Sequence, residues 1–167
     1  MGPSEHDQGI VVQVAKNFEE IDVCLQKLGD LVTAVCRRFG LSEATVSVAI
    51  VDDAEICQVN KRFLNRHRPT DCLSFDLSDD KSAANGDSKM RNRKSFELVV
   101  NGQMAVREAN LRGHSAEAEL ALYVTHGLLH NLGFEDLTEQ EAGKMHQTED
   151  EILQQLGYGL VFGKDGG

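Results

Sequence analysis

The residues best suited to chemistry fall within one short stretch, 126 to 136. His126 and His130 stand four positions apart. On a helix that spacing puts both imidazoles on one face, a single turn from each other. A neutral imidazole offers a nitrogen at ~2.0–2.1 Å from a zinc ion, so the pair can share one divalent metal. Leu120, Leu122, Tyr123, Val124, Leu128, Leu129 and Leu132 surround the pair. A helix apolar nearly all round is a buried one. Gly133 ends it, because glycine takes the left-handed C′ conformation cheaply. The turn that follows brings Glu135 and Asp136 back towards the histidine face. Asp136 lies six residues after His130 and ten after His126. Two nitrogens, one oxygen and an open position make the usual layout of a catalytic metal site. A lone histidine on an apolar face is ordinarily a hydrogen-bonded core residue. A pair at this spacing, with a glycine stop and an acid behind it, favours a shared ligand role.

The elements that must position these groups can be read along the chain. Residues 1–8 are polar and are expected to be disordered. Residues 9–15 read as a first, β-branched strand. A long helix is predicted over 18–39, with Ile21, Cys24, Leu25, Leu28, Leu31, Val32, Val35, Cys36 and Phe39 as its apolar stripe and Gly40 as its stop. Residues 45–51 alternate as a half-buried strand, and Asp52 or Asp53 caps a helix over 54–63. A turn holding Pro69 leads into a strand over 71–77. Residues 78–94 carry no periodicity and read as a flexible loop. A fourth strand follows at 95–101, then a short helix at 103–111 stopped by Gly113. Ser115 caps the histidine helix, with acids in its first turn. Thr138 and Glu141 form a capping box, and the last helix runs to about Leu156. The domain spans 9–160 and residues 161–167 form a flexible tail. Four strands and about five helices in this order predict an α+β fold, a small mixed four-stranded sheet with helices packed on it and the metal cleft at the histidine helix.

The 167 residues fit one domain, and 41% hydrophobic content suffices for one core. No apolar run reaches membrane-spanning length, and the N-terminus lacks the order of a signal peptide. Cys24, Cys36, Cys57 and Cys72 form no C-x-x-C pair and read as reduced thiols of a cytoplasmic protein. The net charge of −10 argues against a general polyanion binder. The basic residues are nevertheless clustered. Lys61, Arg62, Arg66 and Arg68 fall within eight positions, and Lys89, Arg91, Arg93 and Lys94 within six. Such runs serve either as solvated faces or as RNA-binding patches.

The segment His126-Gly-Leu-Leu-His130-Asn-Leu-Gly133-Phe134-Glu135-Asp136 resembles the YbeY family of bacterial metal-dependent endoribonucleases, which carries H-x3-H-x5-H. Asp136 stands where that family has its third histidine. Asn60 to Phe63, Pro69-Thr-Asp-Cys-Leu-Ser-Phe75 and Glu97-Leu-Val-Val100 are similar to further family motifs, as are Met145, Glu149, Ile152-Leu153 and Gly157-Tyr158 at the C-terminus. Any one fragment is weak, but their shared order is highly specific. Leu64 stands where the family carries a functional arginine. The family's metal cleft also makes Thr70, Asp71 and Ser74 candidates for supporting the site, beside their plain turn chemistry.

The resemblance implies a single-strand-specific, zinc-dependent endoribonuclease acting in ribosomal RNA maturation and ribosome quality control. One zinc ion per chain would be held by His126, His130 and Asp136, which are also the expected catalytic residues. Arg66, Arg68 and the stretch from Lys89 to Lys94 would hold the RNA backbone. The expected partners are single-stranded RNA and the ribosome, without membrane or DNA. Two other readings stand beside this one. A zinc metallopeptidase shares H-x3-H but places a glutamate directly after the first histidine, where this chain has Gly127; Glu135 is the substitute to consider. A non-catalytic ribosome- or RNA-associated factor would hold a structural metal, with His146 or Glu149 as a fourth ligand.

Overall fold

A computed structural model describes residues 9–66, 68–78 and 93–159. Its strands are β1 (Ile10–Lys16), β2 (Glu43–Val51), β3 (Cys72–Asp76) and β4 (Arg93–Asn101). Its helices are α1 (Leu25–Arg38), α2 (Asp53–Leu64), α3 (Gly102–Arg112), α4 (Ala116–Asn131) and α5 (Glu139–Gln155). The sheet order is β1-β2-β4-β3. β1, β2 and β4 run parallel, and β3 pairs antiparallel with β4 at the sheet edge. This is the expected α+β fold with a mixed four-stranded sheet and five helices.

Alternation in the strands decides what the sheet faces. Val46, Val48 and Ile50 of β2 sit opposite Phe96, Leu98 and Val100 of β4, and all six are buried. Residues two apart share a face, so these six build one apolar floor. α1 lays Leu28, Leu31, Val32, Val35 and Cys36 on it. α4 lies beside α1 with eleven of its sixteen residues buried, which makes it the central helix that its all-round apolar sequence requires. The opposite face is smaller. There Ile56 of α2 packs on Val51, Leu73 and Val99.

The caps follow the sequence. Asp52 accepts from the backbone N–H of Glu55, Ser115 from that of Ala118, and Thr138 and Glu141 form a full capping box. One element differs. α1 begins at Leu25, not at 18. The chain between β1 and α1 must first cross the core end to make a parallel β1–β2 pair. Asn17 still donates to the Ile50 carbonyl, Ile21 is buried from a non-helical segment, and Cys24 N–H is taken by the Glu117 carboxylate at 2.7 Å. Cys24 is therefore an exposed cap residue and no part of the apolar stripe. The N-terminal 1–8, the tail 161–167 and residues 79–92 of the expected loop lie outside the described residues; Arg93 and Lys94 belong to β4.

Candidate metal centre

His126 and His130 project from α4, and the connection to α5 returns Asp136 to them. Gly133 takes φ +99°, which a glycine adopts without strain, and Phe134 N–H donates to the Leu129 carbonyl. His126 Nε2 lies 3.1 Å from His130 Nε2. Asp136 Oδ2 lies 3.8 Å from the first of these nitrogens and 3.6 Å from the second. Donors bound at ~2.0–2.1 Å around a tetrahedral ion are separated by roughly 3.3–3.5 Å. The three observed separations bracket that value. Among the described residues these three form the group able to hold a metal ion.

Each imidazole is oriented from behind. His126 Nδ1 lies 2.9 Å from Glu149 Oε2, and His130 Nδ1 lies 3.0 Å from the Phe134 carbonyl. Both partners are acceptors, so each Nδ1 carries the proton and donates. In this tautomer each ring directs its Nε2 towards the other. Two lone pairs at this separation, with a carboxylate beside them, make a donor set that a cation satisfies. A carboxylate or carbonyl behind a ligating histidine is the usual supporting arrangement of a metal site. Burial alone would lower the His126 pKa. The hydrogen bond that His126 donates to Glu149 and the charges of Glu149, Asp71 and Asp136 outweigh it and raise the pKa above the ordinary histidine value.

Glu149 links two imidazoles. It is 1% exposed and divides its carboxylate between two imidazoles, Oε2 to His126 and Oε1 to His146 Nδ1 at 2.9 Å. The sequence offered His146 and Glu149 as a fourth ligand. The structure places Glu149 behind the His126 ring instead, and His146 on the far side of that carboxylate. The signal available in sequence was a buried-register acid, four residues after Met145 on the apolar face of α5.

Gly127 faces the sheet. A Cβ there would meet Cys72 Sγ at 2.6 Å and Leu98 Cδ2 at 3.1 Å. A glutamate at this position would point into β3 and β4, away from the three donors. Glu135 is exposed and lines a different cavity with Leu132, Gly133 and Lys144. Neither position offers the general base of a metallopeptidase.

A cavity of about 480 Å³ reaches the centre at His126 and is walled by Asp71, Met104, Leu122, Tyr123 and Glu149. The buried Glu119 secures its far wall, accepting from Arg112 at 3.2 Å and pairing with His114. Burial and that carboxylate push the Tyr123 phenol far up. Thr70 and Asp71 do serve the turn: Asp71 accepts from the Cys72 N–H, and the Thr70 carbonyl from Asn101 Nδ2. They also line this cavity. Arg66 and Arg68 lie elsewhere. They share a second cavity, of about 470 Å³, with Asn60, Leu64 and Ser74. Thr70 lines both.

The mixed sheet, the buried helix carrying two histidines and the acid returned by the following turn define an α+β protein with a candidate metal centre of the catalytic type. Comparison with known proteins gives the family. The family model described as Endoribonuclease YbeY matches residues 12–157. An Endoribonuclease YbeY of Desulfitobacterium hafniense is 34% identical over 69% of this chain and 73% of its own length. That of Shouchella clausii is 33% identical over 81% of this chain and 87% of its own. A solution structure from Thermotoga maritima superposes with a TM-score of 0.57 at 23% identity, covering 87% of this chain and 91% of the other, and supports the fold. The chain belongs to the endoribonuclease YbeY family.

Proposed function

We propose that this chain is a single-strand-specific, zinc-dependent endoribonuclease, acting in the cytoplasm on ribosomal RNA in its maturation and in ribosome quality control. Family membership supports endonucleolytic hydrolysis of RNA and a role in ribosomal RNA processing. The observation that carries the chemistry is the convergence of His126 Nε2, His130 Nε2 and Asp136 Oδ2.

In this reading those three residues hold one zinc ion. The ion supplies charge that neutralises the phosphate and lowers the pKa of water. The chain does the rest. Glu149 and the Phe134 carbonyl fix both tautomers, so each ring presents Nε2 to the centre. Asp136 is half exposed and leaves one side of the centre open to solvent. Arg66 and Arg68 hold the RNA backbone. They are exposed and form no ion pair among the described residues. Three donors rather than four favour this over a closed structural site.

The test is cleavage of a labelled single-stranded RNA by purified protein, with chelator, with zinc restored, and beside His126→Ala. Chelator-sensitive cleavage that zinc restores, and that folded His126→Ala lacks, is the expected result. A folded, zinc-loaded protein that leaves the RNA intact overturns the enzyme reading in favour of a binding factor.

A further inference from the structure

We propose that the cavity at the free edge of β3 is a seat for one unpaired nucleobase, and that it selects single strands over duplex. This rests on the nuclease reading above and names the part of the RNA that this second site takes. Four observations carry it.

The first is size and wall. The cavity of about 470 Å³ has room for one base, and Leu64 and Pro69 give it an apolar side. The second lies just outside. Phe63 is 61% exposed and Leu64 48%, an aromatic and an aliphatic side chain left in water at the end of α2. Phe63 is held edge-on to Phe75 with centroids 5.6 Å apart, and the Arg62 guanidinium lies 5.6 Å from its ring. Its position is therefore fixed although its ring is wet. Exposed aromatic rings among arginines are the usual stacking platforms for single strands.

The third observation is a buried acceptor with no donor. Asn60 lines the cavity and is 3% exposed. Its Nδ2 donates to the Arg68 carbonyl at 2.9 Å, which fixes the orientation of the amide. Its Oδ1 then accepts from no group among the described residues. A buried carbonyl without a donor is costly and calls for a ligand or water. Every nucleobase carries an N–H on its Watson–Crick edge. In a duplex that N–H is already committed to the opposite base. The acceptor thus asks for an unpaired base, whichever base it is.

The fourth is charge and place. Arg66 and Arg68 line the same cavity and suit the phosphate of the seated nucleotide. Ser74 and Cys72 of its wall lie against Gly127, the neighbour of His126 in α4. Thr70 of the same wall also lines the cavity that reaches His126, so a strand whose base is seated here continues towards the metal centre. Leu64, where the family carries arginine, becomes an apolar contact to the base.

The experiment measures RNA binding by fluorescence anisotropy on chelator-treated protein, so that cleavage plays no part. Two probes are used: a short single-stranded RNA, and an oligomer of equal length and charge built from abasic ribose units. The wild-type chain is expected to prefer the base-bearing strand by about fivefold or more, the low end of one stacked base. Phe63→Ala/Leu64→Ser, two exposed positions, is expected to erase that preference while leaving abasic binding and the salt dependence unchanged. A duplex of the same sequence should bind the wild type no better than the abasic strand. An equal loss on both probes, or a preference that survives the double substitution, overturns the base seat and leaves the nuclease reading standing. Absence of any RNA binding by wild type overturns both.

Discussion

The sharpest consequence concerns Glu149→Gln. Glu149 is a buried carboxylate, 2.9 Å from His126 Nδ1 on one oxygen and 2.9 Å from His146 Nδ1 on the other. Glutamine keeps its shape and loses its charge. One imidazole N–H keeps an acceptor, and the other meets an NH2 group. At best, the His126 bond falls from charge-assisted to neutral. Bonds to charged groups contribute ~1.5–3 kcal/mol and neutral ones ~0.5–1.5 kcal/mol, a difference of about 1–1.5 kcal/mol. That is roughly tenfold in zinc affinity, the lower end of the ~10–100-fold seen when supporting residues of metal sites are changed. The assay is zinc competition against a chromophoric chelator, well above the imidazole titration range so that protons do not compete. Circular dichroism checks that the variant is folded. His146→Ala is the control: it leaves the Glu149–His126 bond in place and should weaken zinc binding less than Glu149→Gln. Unchanged zinc affinity in folded Glu149→Gln would refute the claim that this carboxylate orients His126.

Three further outcomes are expected. Gly127→Ala puts a methyl group 2.6 Å from Cys72 Sγ; overpacking of this kind costs ~1–3 kcal/mol, and denaturant titration should show the loss, with Cys72→Ala recovering part of it. Arg66→Ala/Arg68→Ala should lower the magnitude of the salt-dependence slope of single-strand binding by roughly 1.4, two phosphate contacts at ~0.7 each, as read from anisotropy across salt concentrations. The Asp53 pKa is lowered, chiefly by the Arg107 hydrogen bond, which with the Asn101 hydrogen bond and the Arg107 charge outweighs the opposing effect of burial. A depressed carboxyl contributes stability above its unfolded-state pKa and loses it as pH falls through the folded-state value; Asp53→Asn should therefore flatten the acid limb of a melting-temperature profile and leave its neutral plateau less stable.

The donors were legible because their spacing is local. A turn of helix separates His126 from His130, and a glycine stop returns Asp136 within six residues. Elements with strong alternation or clear caps, such as β2, β4 and α5, were legible for the same reason. The orienting carboxylate was not. Glu149 reaches His126 across 23 positions, through helix packing that no local pattern encodes. The start of α1 was misread on similar grounds. Ile21 and Cys24 continue a helical stripe in sequence, yet Glu117, 93 positions on from Cys24, takes the Cys24 N–H and holds the chain out of the helix. Arg66 and Arg68 were legible as a basic run. Their grouping with Asn60 and Leu64 around one cavity needed the turn at Pro69 to be in place.

Charge explains why those two sites belong together. Asp136 is one of the three candidate donors, Glu149 stands behind His126, and Asp71 is close enough to raise the His126 pKa. Three carboxylates exceed what one divalent cation neutralises. A centre with a third imidazole in place of Asp136 would carry one negative charge fewer. In the proposed reading, a divalent ion held there would draw a phosphate only weakly by itself, in a protein whose net charge is already −10. In the proposed reading, attraction for the RNA backbone has to come from nearby cations that no acid claims among the described residues. Arg66 and Arg68 meet that condition, in the cavity that shares Thr70 with the one at His126. The aspartate at the centre makes the arginine cavity more necessary, and Leu64, which carries no charge, leaves these two arginines to supply it.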